Sequence, residues 1–187
     1  LEGDLTWFKG KCTLCKKCIQ ECKMQANSFT EAGVYEIFWH HCKGCLHCML
    51  ACPNGAIKLV HRKFGLFQEG LARVAKVVLD SYEPGGVFHI NVLLNVTLFC
   101  DCWGFTTPSL VPDIGILAGE DIVAVDHASL DAIKVKDVIP GSVTPPYKLG
   151  KGKHLFEKLH SKDPYIQVKA LERLGAGTAT YKRVEVK

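Results

Sequence analysis

At 187 residues, 48% hydrophobic and 22% charged, the chain is long enough for one ordinary domain plus a small one, and its composition excludes disorder. Its formal net charge is +4, and it contains ten cysteines. Eight of these lie between Cys12 and Cys52, which excludes a disulfide framework spread through a secreted domain and points to metal ligation in a reducing compartment, so a cytoplasmic location is expected.

The opening residues, LEGDLTWFKGKC, have no basic segment followed by an apolar stretch, and no signal peptide is expected. Next comes an internal repeat with a period of 30 residues: Cys12, Cys15, Cys18 and Cys22 recur as Cys42, Cys45, Cys48 and Cys52, and Ala26 recurs as Ala56. Such duplication means two copies of one supersecondary unit sharing a core. VYEIFW (34–39), following Gly33, and AIKLV (56–60) read as strands. From Gly70 to Ser81, Leu71, Val74, Ala75, Val78 and Leu79 recur at helical spacing before Pro84-Gly85-Gly86, predicting an amphipathic helix.

VFHINVLLNVTLF (87–99) predicts a buried strand; it is too short, and too interrupted by His89, Asn91 and Asn95, to span a membrane. IGILAG (114–119) and DIVAVD (121–126) read as similar strands. Helices are predicted at 128–135, with Asp126 as its cap, and at 165–174, with Asp163 as N-cap, Pro164 in the first turn and Gly175 past the end. PGSVTPPYKLGKGK between them has the composition of a loop. Its GKGKH is not a phosphate loop, because His154 stands where a Walker motif needs Ser or Thr.

Each half of the repeat reads C-x2-C-x2-C-x3-C, the spacing in which three cysteines wrap one cubane cluster and the fourth reaches the other. Two [4Fe-4S] clusters are expected, one on Cys12, Cys15, Cys18 and Cys52, the second on Cys42, Cys45, Cys48 and Cys22. Paired zinc sites are the competing account, but they need only two CxxC pairs each. Pro53 follows Cys52 whereas Lys23 follows Cys22, so the Cys22 cluster is expected in the more cationic setting and at the higher potential. An oxidised cluster with four thiolates carries about −2, so two would nearly cancel the formal charge, and neither nucleic acid nor membrane is an expected partner.

Lys11, Lys16, Lys17, Lys23 and Lys43 are read first as solvated surface, with docking of an acidic redox partner as the functional alternative. His40, His41 and His47 are read as surface residues, and Trp7, Phe8, Phe38 and Trp39 as a cover that keeps water from the clusters. Cys100 and Cys102, with Asp101 and Asp113 nearby, follow a strand and precede a loop, a place where α/β proteins put sites. A metal site there is weighed evenly against two idle thiols.

CTLCKKCIQEC and CKGCLHCMLACPNGAI resemble bacterial two-cluster ferredoxins, and NVTLFCDCWGFTTPSLVPDIGILAGEDIVAVDHASLDAI with HLFEKLHSKDPYIQVKALERLGAGTATYKRVEV resembles the domain-of-unknown-function 362 family. The resemblance implies the C-terminal half of a larger protein, whose missing N-terminal half, or a second chain, packs on residues 87–126. The expected fold class is an α+β two-cluster ferredoxin-like module (residues 1–62) joined to an α/β domain (63–187). The expected function is low-potential one-electron transfer, in an anaerobic setting. The alternative is a redox enzyme or maturation factor whose clusters serve a metal at Cys100 and Cys102.

Overall fold

A computed structural model describes residues 5–99, 106–145 and 147–186. The chain divides into two units, one of Leu1–Phe67 together with Pro145–Lys148, the other of Gln68–Thr144 and Leu149–Lys187.

In the first unit the sequence repeat is also a structural repeat. Strand β1 (Leu5–Trp7), helix α1 (Lys17–Gln20) and strand β2 (Asn27–Phe29) recur, each 30 residues on, as β3 (Tyr35–Ile37), α2 (His47–Leu50) and β4 (Ile57–Leu59). Pairing crosses the repeat: β1 runs antiparallel to β4 with Leu5 opposite Leu59, and β2 antiparallel to β3 with Asn27 opposite Ile37. Two-stranded ribbons this short do not hold themselves together. They are held by a shared core of Leu5, Cys18, Tyr35, Leu46, Cys48, Ile57 and Leu59, against which Trp7, Phe29 and Trp39 pack.

Helix α3 (His61–Leu79) begins nine residues before the predicted Gly70 start. Gly65 and Gly70 each cost about 1 kcal/mol in a helix interior. Within the second unit its later turns are anchored by Ala72, which is fully buried, and by Gln68, whose Nε2 donates to the Asp163 carbonyl at 2.9 Å.

The second unit also holds β5 (His89–Leu93) and β6 (Gly115–Gly119), paired antiparallel with His89 opposite Gly119. The strand expected to be buried is not: burial alternates along both strands, and Ile90, Val92 and Ile116 are each more than half exposed. The alternation is what a ribbon packed on one face gives, since side chains point to opposite faces with period 2. The other face meets α4 (Ile122–Ala132), where Asn91 Nδ2 donates to Asp126 Oδ1 at 2.8 Å and to Ser129 Oγ at 3.0 Å.

DIVAVD, read from sequence as a strand, is the first turn of α4. Asp121 is its cap, and Oδ1 accepts from Val123 N at 2.8 Å and from Ala124 N at 3.0 Å. Asp126, expected to cap a helix, lies inside this one. Helices α5 (Leu155–His160) and α6 (Tyr165–Arg173) follow. The sequence reading did not foresee α5, whose N-terminus is capped by the His154 ring, Nδ1 accepting from Phe156 N at 3.1 Å. Asp163 Oδ1 accepts from Tyr165 N at 2.9 Å at the start of α6. Gly175 (φ 74°) turns out of its end, and Ala176 N returns to the Leu171 carbonyl, a six-residue closure that needs a left-handed residue.

Candidate metal centre

The loop before each short helix alternates backbone hand. Leu14 (φ 53°) and Lys16 (φ 59°) flank Cys15, and Gly44 (φ 69°) and Leu46 (φ 66°) flank Cys45. A left-handed non-glycine residue costs about 1–2 kcal/mol, and such strain gathers where function holds it. Alternating hands turn successive N–H groups to one side, a concavity suited to an anion. Here the N–H groups reach sulfur: Lys17 N–H to Cys15, Ile19 N–H to Cys18, and His47 N–H to Cys45. Ala26 N donates to Cys22 Sγ and Ala56 N to Cys52 Sγ, both at 3.2 Å. The alanines shared by the two repeats sit at this bond.

The repeat builds two small cavities. The first is lined by Cys12, Cys15, Cys18 and Cys52, with Trp7 and Tyr35 among its walls. The second is lined by Cys22, Cys42, Cys45 and Cys48, with Asn27 and Leu46. Three cysteines of each set come from one motif and the fourth from the other, because the crossed strand pairing brings the end of each half beside the start of its twin.

Thiol protonation follows burial. Burial pushes the Cys48 thiol up to about 12, and pushes Cys18 and Cys45 up as well. Cys15 is exposed, and the Lys17 N–H holds its thiol below the usual value. A soft metal group entering these cavities must displace protons from the buried thiols, since only thiolates ligate.

The donor set fits an anionic metal–sulfur group on independent grounds. Trp7 lines the first cavity, and its Nε1–H is buried with no hydrogen-bond partner among the described residues. Orphaned buried donors are costly, at about 1–3 kcal/mol, and mark a missing acceptor. Polar groups behind the thiols are matched: Asn27 Nδ2 donates to the Cys18 carbonyl at 3.0 Å, and Tyr35 Oη donates to Asn27 Oδ1 at 2.8 Å.

The surroundings depart from expectation in three places. His47 is half-buried, its ring edge-on to Tyr147 with centroids 5.0 Å apart, whereas His40 and His41 are exposed. Trp7 and Trp39 are partly buried against the core, but Phe8 and Phe38 are 43% and 53% exposed and line neither cavity. Tyr147, which no sequence signal singled out, is 5% exposed; its hydroxyl donates to the Cys45 carbonyl and lies 3.5 Å from His47 Nδ1. It sits 102 residues after Cys45, in a segment that reads as loop. Lys11, Lys16, Lys17, Lys23 and Lys43 are all exposed. Asp113 Oδ1 accepts from Asn95 N at 2.8 Å, and the suggested site at Cys100, Asp101 and Cys102 lies outside the described residues.

A family model described as Domain of unknown function (DUF362) matches residues 17–131, and the chain belongs to this family. It is similar to the Hdr-like menaquinol oxidoreductase iron-sulfur subunit 1 of Archaeoglobus fulgidus, with 43% identity over 158 residues, 83% of this chain and 44% of that protein. It is also similar to the pyruvate synthase subunit PorD of Methanocaldococcus jannaschii, 40% identical over 53 residues, 28% of this chain and 62% of that one. A third relative is a putative dimethyl sulfoxide reductase iron-sulfur subunit of Halobacterium salinarum, 33% identical over 55 residues, 28% of this chain and 21% of the relative. The chain thus spans less than two thirds of the length of each. No solved structure matches. No helix among the described residues is long and apolar enough to cross a membrane.

Proposed function

We propose that the chain carries two [4Fe-4S] clusters in an α+β ferredoxin-like module joined to an α/β domain, and passes single electrons at low potential as a subunit of a larger redox assembly. Cys12, Cys15, Cys18 and Cys52 hold one cluster, and Cys42, Cys45, Cys48 and Cys22 the other. The observation that carries this reading is the pair of matched cavities, each lined by four cysteines drawn crosswise from the two motifs.

When bound, each cluster supplies a one-electron couple in which no bond forms or breaks. The chain's own residues do the rest. The thiolates hold iron, and the N–H groups on Cys15, Cys18, Cys22, Cys45 and Cys52 offset the negative charge that reduction adds. Trp7, Tyr35 and Leu46 line the cavities and keep water from them. Lys23, beside Cys22, favours the extra charge and makes the second cluster the higher in potential.

The exposed lysines around the motifs offer an acidic redox partner a docking surface. Ile90, Val92 and Ile116 leave an apolar strip that suits a further segment or chain. Names of the relatives as subunits support an assembly. Buried reduced thiols fit a reducing compartment such as the cytoplasm.

Elemental analysis and electron paramagnetic resonance on anaerobically purified protein, before and after dithionite, test the reading. About eight irons and eight sulfides per chain, with a spin-coupled signal on reduction, are expected. Zinc without labile sulfide would sink it.

A further inference from the structure

The two cavities come from duplicated segments, yet they do not end alike. At the first, Cys15 is exposed beside exposed Leu14, Lys16 and Lys17. At the second, the equivalent Cys45 is half-buried, and His47 stands where its twin has Lys17. Neither motif alone accounts for the difference. The distant segment Pro145–Lys148 belongs to the same unit and brings Tyr147 to the second motif.

We propose that Tyr147 is a positioning residue for the second cluster: its hydroxyl, donating to the carbonyl of the ligand Cys45, fixes that ligand's loop and raises the cluster's reduction potential. The inference rests on the cluster reading above. The ring is edge-on to His47 at 5.0 Å and only 5% exposed, so packing holds the phenol against the Cys45 loop. An unperturbed phenol ionises only at about pH 10, so the hydroxyl is a donor throughout the physiological range. An O–H aimed at the peptide carbonyl of a ligand presents its positive end toward the ligand and offsets the carbonyl's negative end. Adding an electron makes the bound group more negative, and the donor therefore favours the reduced state. The first motif has Lys17 rather than His47 at the matching position, and Pro145–Lys148 is present once. The effect is thereby confined to one of two otherwise duplicated sites.

The test uses full-length protein purified anaerobically with its clusters, as the unaltered chain, Tyr147→Phe and Tyr147→Ala. Iron and labile sulfide are counted, and both couples are titrated with paramagnetic resonance detection. Tyr147→Phe keeps the ring and removes only the donor. It is expected to retain full iron and sulfide and to lower the reduced-to-oxidised ratio of one couple roughly three- to tenfold at fixed potential, about 28–59 mV for one electron, leaving the other unmoved. Tyr147→Ala is expected to move the same couple and to lose about half its iron to a chelator faster than the unaltered chain. Couples that both move together, or both stay fixed in Tyr147→Phe, overturn the inference while leaving the clusters in place. Loss of clusters in Tyr147→Phe assigns the residue to folding alone and overturns it too. Absence of iron and sulfide from the unaltered chain overturns the cluster reading itself, and this inference with it.

Discussion

Asp131 accepts two phenols at once, Tyr165 Oη on Oδ1 at 2.7 Å and Tyr181 Oη on Oδ2 at 2.8 Å. Burial pushes its carboxyl up, but the two hydroxyls outweigh it and hold the group below the usual carboxylate value. A depressed carboxylate contributes stability above its unfolded value of about 3.9 that is lost as pH falls through the lower folded value. The Asp131 side chain is 41% exposed, so screening trims the gain. Asp131→Asn is expected to cost about 0.5–1 kcal/mol in urea unfolding at pH 7, with the difference shrinking below about pH 4. A variant equally stable at both pH values would remove the argument. His154 gives the opposite end of the range. Burial holds its ring below the usual value of about 6.5, and both nitrogens are engaged, Nδ1 by Phe156 N and Nε2 by the Leu130 carbonyl at 3.0 Å. Its depressed value means stability is complete above about pH 6.5 and falls as acid protonates the unfolded chain first. Asn can still accept from Phe156 N, so His154→Asn is expected to flatten the stability slope between about pH 5 and 7 in parallel unfolding titrations. At this scale the sequence was uneven. Eight cysteines were legible because their spacing is itself the signal, whereas His154 drew notice only for a phosphate loop it does not form. Tyr147 carried no signal, because its partner is 102 residues away.

Among the elements, α4 depends most on one side chain. Asp121 caps it with Oδ1 and holds Thr178 N with Oδ2 at 2.8 Å, tying the chain after α6 to the helix start. Gly177 is needed where that chain passes, for a Cβ there would stand 2.0 Å from Asp121 Oδ1. Asp121→Ala is expected to destabilise the protein by about 2 kcal/mol in denaturant unfolding, since it removes a cap and strands a second N–H group. A loss under about 0.5 kcal/mol would mean water replaces the carboxylate at no cost. This same residue shows why DIVAVD misled. Three β-branched residues in six satisfy a strand pattern, and tertiary burial of Val123 and Val125 overrode it once Asp121 had supplied the cap. The 30-residue period was legible in the cysteines, and β3 and β4 in their β-branched and aromatic runs, but the short β1 and β2 carried no strand signal of their own. The exposed face of β5 and β6 was not legible, because a dense apolar run looks alike whether one of its faces or both are covered.

Taken whole, the molecule joins two units whose cores differ in composition. The second has its own core around Ala72, Val123, Val168, Ala170 and Leu171. The first has a core cluster of seven described buried residues, of which Cys18 and Cys48 are among the proposed ligands. Units of that size usually need a metal or a staple to stay folded. Stripping iron with a chelator is therefore expected to open residues 5–59 to protease while α4 and α6 stay protected, as read by mass spectrometry of the fragments. A first unit that stays protected without metal would show that its apolar core suffices.

The crossed pairing also sets a timetable for the nascent chain. Each cavity takes its fourth cysteine from the other half, and β1 has no partner until β4 exists, so the first unit cannot close before Leu59 is made. Tyr147 arrives later still. At roughly 5–20 residues per second, the ribosome needs about 4–18 s to travel from Leu59 to Tyr147. Throughout that interval the Cys45 carbonyl lacks its Tyr147 donor, so the second motif is the later of the two to gain all its partners.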